Sequence, residues 1–206
     1  IDLLRIADLA LYDAKRRGGG QVRLFDQSMD ESVKFRQTIE AGLRKAVADH
    51  ELELLYQPIV DRESVQIIGF EALLRWNNPK FGSVSPAKFI PVAEDARLIV
   101  PIGNWVLRQA CGDAMKWPDT VKVAVNVSVD QLTSQGFVES VVQALHDTGL
   151  PAWRLELEVT ESIFVRDGGL AVQVLDRLRK LGIKLSLDDF GTGYSSLGYL
   201  SNIRFD

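Results

Sequence analysis

The chain has 206 residues, 46% of them hydrophobic, and its 24 Lys and Arg against 28 Asp and Glu leave a net charge of -4. That is enough chain to bury a sizeable core in one or two domains, and the scattered, mildly acidic charge excludes a basic stripe for duplex nucleic acid. No apolar run approaches the roughly 20 residues that a membrane span needs, and the amphipathic start is unlike a signal peptide. The expectation is therefore a cytoplasmic segment without membrane contact of its own, although an upstream domain could anchor the parent protein.

Residues 2 to 17 carry Leu3, Ile6, Leu9, Ala10, Leu11 and Ala14 at helical spacing, and "RRGGG" ends that helix before a short strand-like "QVRLF". Residues 28 to 50 read as a second amphipathic helix, with Phe35, Ile39, Leu43 and Ala46 on one face. It is placed to bridge two domains. "LELLYQPIV" and "VQIIGFEALLRW" are strands joined by the polar turn "DRES", which is too short for a helical crossover, so the pair is expected to be antiparallel. Ser85 and Pro86 then open a helical region that should break near Pro101. In that region Cys111, the single cysteine, reads as a helix core position and excludes an internal disulfide. Three strand-helix units follow: "VKVAVNVSV" with its helix, "RLELEVTES" with its helix, and "IKLSLDDF" with a glycine-rich loop. Such alternation implies parallel β-α-β units in an open sheet or a barrel.

Polar residues fall near the carboxyl ends of these strands: Glu71, Asn126, Glu158 and Asp188. From Asn126 to Glu158 is 32 residues and from Glu158 to Asp188 is 30, about one unit each, so they occupy equivalent places and should converge. In an α/β barrel that end carries the chemistry. Three carboxylates and an amide gathered there call for a hard cation, and all-oxygen ligands suit Mg²⁺ or Mn²⁺. Arg75, four residues past Glu71, offers a donor fork suited to a phosphate. Asp188 and Asp189 are adjacent, so on a strand they point to opposite faces. His50 and His146 fall in a helix end and a helix-to-loop stretch, and neither looks like a ligand.

The stretches "YQPIV", "GFEALLRW", "SPAKFIPVAED", "VNVS", "ELEVTES" and "DDFGTGYSSL" resemble the EAL domain over residues 51 to 206. That resemblance implies a modified (β/α)₈ barrel with an antiparallel first strand, and hydrolysis of the bacterial second messenger cyclic di-GMP to linear pGpG with Mg²⁺ or Mn²⁺. It implies that Glu71, Asn126, Glu158 and Asp188 hold a first metal, and that Asp188 and Asp189 serve a second. Glu161 would organise the loop after Asp189. Gln57 and Arg75 would contact the dinucleotide, and the "FGTGYSSL" loop would couple the site to a homodimer. Residues 1 to 26 are similar to the last helix and strand of a GGDEF diguanylate cyclase domain, without its signature loop, and residues 27 to 50 would be the linking helix. A tandem GGDEF-EAL parent is the natural inference. The family's lysine and its later glutamate and glutamine have no counterpart up to Asp206, so the barrel is expected to be truncated in its C-terminal part.

Two other readings compete. One is a catalytically inactive EAL-like receptor that binds the dinucleotide and signals to a partner, against which the intact "EAL" and "DDFGTG" weigh. The other, from residues alone, is a barrel glycosidase using two glutamates as acid and base, against which the amide and the adjacent aspartates weigh.

Overall fold

The computed structural model describes residues 3–16, 18–160, 163–188 and 205, with backbone alone for residues 16 and 164–168. The chain divides into two compact units, Ile1–Lys45 and Ala46–Asp206.

In the first unit, helix α1 (Leu3–Arg16) and helix α2 (Gln27–Ala46) share a small cluster in which Leu9 and Ala10 meet Met29, with Val33 packed against it. Arg23 ties the connecting loop back to Asp13 at 2.8 Å. The strand expected in "QVRLF" does not form: residues 21–25 are irregular, with Val22 93% and Leu24 85% exposed. A lone β segment leaves its ladder groups unpaired, so high β propensity does not suffice without a neighbour. α2 buries Ile39, Leu43 and Ala46 as its periodicity predicts, but Phe35 stays 44% exposed. It also ends at Ala46 rather than running to residue 50, because His50 adopts a left-handed φ of 55° and Glu51 N–H bonds back to the Ala46 carbonyl, which closes the helix end.

The second unit is built on one sheet. Strands β1 (Leu52–Val60) and β2 (Ile67–Asn78) form the expected antiparallel hairpin, and β3 (Gly82–Val84) adds to β2. The chain then crosses through α3 (Pro86–Asp95) and α4 (Ile99–Ala114) to β4 (Lys122–Val127), through α5 (Val129–Leu132) and α6 (Phe137–Thr148) to β5 (Leu155–Thr160), and through α7 (Ile163–Lys180) to β6 (Lys184–Asp188). The order β1-β2-β4-β5-β6 is parallel from β2 onward. These strands are the open arc of the barrel-type fold, and their helix-covered face is the apolar one, burying Val123, Val125, Leu155, Leu157, Val159 and Leu185.

The break between α3 and α4 lies at residues 96–98, before Pro101. Arg97 takes a φ of 56° and Leu98 N–H bonds to the Ala93 carbonyl at 2.7 Å, the same closure as at His50. Pro101 instead sits in the first turn of α4, where its missing N–H would have had no helical partner. Cys111 is fully buried in α4, and burial pushes its thiol up to about 12, so it is packing rather than a nucleophile.

One interior contact was not foreseen. Arg154 is 1% exposed and donates to three backbone carbonyls, Ala114 (2.7 Å), Val121 (2.9 Å) and Pro118 (3.1 Å). It thereby satisfies the end of α4 and the turn that leads into β4. Among the described residues no helix is long and apolar enough to cross a membrane.

Candidate functional site

Strand register decides which residues meet. Gln57 stands opposite Glu71, Glu71 is level with Ala124, Asn126 with Glu158, and Glu158 with Ser186, two residues before Asp188. Because strand side chains alternate with a period of two, Gln57, Glu71, Asn126, Glu158 and Asp188 all emerge from one face, opposite the helix-covered one. The alternation in "LELEV" places Glu156 on that face as well, a residue the sequence reading passed over although the period-two signal was there to read. Asp189 and Glu161 lie outside the described residues.

Gln57, Asn126 and Asp188 are exposed, whereas Glu71, Arg75 and Glu158 are half-buried. Asn126 Nδ2 donates to Glu71 Oε1 at 2.7 Å, joining two of the expected ligands across neighbouring strands. The Glu158 carboxyl is pushed up to about 7, chiefly by burial and then by the facing carboxylates of Glu71, Asp188 and Glu156. Ser186, level with Glu158, keeps a buried Oγ with no hydrogen-bond partner among the described residues.

At the carboxyl ends of β2, β4, β5 and β6 opens a cleft of about 440 Å³. Arg75, Asn126, Thr160 and Asp188 line it together with an apolar wall that includes Leu74, Pro86 and Ile102. Arg75 Nη1 donates to the Leu74 carbonyl at 3.0 Å, which fixes the root of its guanidinium at the rim. Apolar walls with a few polar groups are the usual make-up of a small-molecule site.

The donor set on this face is carboxylate and amide oxygen, the chemistry of a hard divalent cation. Such a charge would relieve the repulsion from Glu71, Asp188 and Glu156 that adds to burial in raising the Glu158 carboxyl. The described side chains do not close a coordination sphere as they stand: among the described residues no three carboxylate, imidazole or thiolate groups stand close enough to share one ion. The donor types fit a cation; their spacing leaves the sphere open.

Comparison with known proteins agrees with this architecture. The EAL domain family model matches residues 40–206. A solved structure of the PaMucR phosphodiesterase in complex with c-di-GMP superposes with a TM-score of 0.78 at 42% identity, covering 82% of this chain and 70% of that one. Among curated proteins, the bifunctional diguanylate cyclase/cyclic di-GMP phosphodiesterase MucR of Pseudomonas aeruginosa is 41% identical over 98% of the chain and 30% of its own length. The cyclic di-GMP phosphodiesterase NbdA of the same organism is 39% identical over 100% of the chain and 27% of its own length. The chain thus spans about a quarter to a third of the curated relatives it matches.

Proposed function

Because the chain belongs to the EAL domain family, we propose that its acidic face and adjoining cleft bind cyclic di-GMP and, in the full-length protein, hydrolyse it to linear pGpG with Mg²⁺ or Mn²⁺. The observation that carries this reading is the single sheet face that Glu71, Asn126, Glu158 and Asp188 share beside a cleft rimmed by Arg75.

In this proposal Glu71, Asn126, Glu158 and Asp188 hold one ion, and Asp188 with Asp189 holds a second. A divalent ion so held supplies Lewis acidity, acidifying water and offsetting charge at the phosphorus. The chain's own groups do the rest. Asn126 keeps Glu71 turned toward the ligand set through its 2.7 Å hydrogen bond. Glu158 releases its proton near neutrality to become an anionic ligand. Arg75, anchored on the Leu74 carbonyl, presents the rest of its fork to a phosphate. Gln57, across the ladder from Glu71, contacts the dinucleotide. Glu161 organises the loop after Asp189.

The same proposal assigns residues 1–26 to the end of a GGDEF domain, 27–50 to a linking helix and 51–206 to the phosphodiesterase domain of a cytoplasmic signalling protein that acts as a homodimer. The test is incubation of the full-length protein with cyclic di-GMP in Mg²⁺, in Mn²⁺ and in chelator, with products separated by chromatography. Metal-dependent pGpG is expected. Tight binding without product would make the protein a receptor, and neither binding nor product would sink the reading.

A further inference from the structure

Gly103 lies inside α4 and is not one of the glycines with a left-handed backbone. A glycine there weakens the helix relative to alanine, so its reason must be room. The room is taken by Gln131: a Cβ on residue 103 would stand 1.7 Å from Gln131 Nε2 and 2.4 Å from its Cδ. Gln131 is 4% exposed, so its carboxamide lies in a notch of the α4 backbone. From that seat it closes a reciprocal capping box with Ser128. The Gln131 N–H donates to Ser128 Oγ at 3.2 Å, and Ser128 N–H donates to Gln131 Oε1 at 3.4 Å. Ser128 is two residues beyond Asn126, whose amide holds Glu71, and Gly103, Ser128, Gln131 and Asn126 all line the same cleft.

We propose that Gln131, seated in the Gly103 notch, is a positioning residue for the site: it fixes the strand-to-helix turn behind Asn126 and, through it, the amide that orients Glu71. A capping box alone would secure a four-residue helix only weakly against solvent competition. Seating the carboxamide against α4 removes that competition, because a buried amide that leaves its partners forfeits hydrogen bonds it cannot replace there. The activity readout of this inference rests on the function proposed above; its structural readout does not.

The test uses the full-length protein with Gly103→Ala, Gln131→Ala and the double variant. Each single change is expected to lower cyclic di-GMP turnover per folded molecule by about tenfold or more in saturating Mn²⁺. The double variant should match Gln131→Ala alone, since an empty notch accepts a Cβ. In ¹H–¹⁵N spectra the side-chain amide signals of Asn126, identified by their loss in Asn126→Asp, should move in both single variants. A control of comparable thermal loss away from the cleft, Arg154→Met, should leave those signals and the turnover per folded molecule in place. Unmoved Asn126 signals, an additive double variant, or activity losses that track thermal stability as in the control would each overturn the proposal. If the wild-type protein does not turn over cyclic di-GMP, the functional reading falls, and the Asn126 signals still decide this one.

Discussion

Titrating Mn²⁺ binding to the full-length protein against pH probes the acidic face at its most perturbed group. The Glu158 carboxyl sits at about 7 because burial and the charges of Glu71, Asp188 and Glu156 disfavour its ionised form. A carboxyl must shed its proton before it can hold a cation, so an ion bound through Glu158 displaces a proton at any pH below that value. Apparent affinity should climb about tenfold per pH unit below 7 and level off above it, which amounts to a loss of about 25-fold between pH 7.5 and 5.5. Calorimetry in two buffers of different ionisation enthalpy counts the proton directly: about 0.9 per ion at pH 6 and about 0.1 at pH 8. Glu158→Gln should bind more weakly at pH 7.5 and lose most of this dependence. Glu71→Gln removes one repelling charge and should shift the midpoint downward. Folding without metal responds with the opposite sign: the carboxyl's value lies above its ordinary 4.5, so its stabilising contribution is complete below about pH 4.5 and disappears as the pH rises through about 7. A flat affinity profile with no proton released at pH 6 would mean that Glu158 is not a ligand, and the shared-face argument would fail with it.

Glu71→Ala should lower pGpG formation at least about a hundredfold in saturating Mg²⁺, roughly 2.7 kcal/mol of barrier; activity within about threefold of the parent would remove Glu71 from the ligand set. Ca²⁺ should occupy the face yet support little hydrolysis, being larger and looser in its coordination, and a rate equal to that in Mg²⁺ at equal occupancy would refute the assigned chemistry. Arg154→Met strips three backbone carbonyls of their donor and should cost about 3 kcal/mol, a fall in thermal midpoint of roughly 6–12 °C; a midpoint within about 2 °C of the parent would show that water replaces the guanidinium without loss.

Local pattern carried much of this structure. A four-residue polar turn could not be a crossover, so the β1–β2 hairpin followed, and the apolar strands alternating with amphipathic helices gave the parallel arc. The near-equal spacing of Asn126, Glu158 and Asp188 reflects one strand and one helix per unit, and the register sets Asn126 level with Glu158 and Asp188 two residues further along. What local pattern could not carry was pairing at a distance. "QVRLF" has the composition of a strand, but a strand exists only with a neighbour, and none is formed by the described residues around it. Arg154 has no local cue to its role, since nothing nearby in sequence announces carbonyls 33 to 40 residues away. The helix break fell at Arg97 rather than by Pro101 because a left-handed residue is a stronger stop than a proline in a first turn. Gly103 likewise has its reason far along the chain, in the Gln131 carboxamide that occupies the room a Cβ would need.

The reversed first strand also sets where the chain enters the second unit. Leu52 pairs with Trp76 and Glu53 with Arg75, so β1 begins beside the carboxyl end of β2, level with the cleft, and runs away from it. Had β1 been parallel, its nine residues would have put the entry about 30 Å lower, at the far end of the sheet. The residues that lead into β1 therefore reach the sheet at the rim that holds Arg75, with no strand length between them and the cleft.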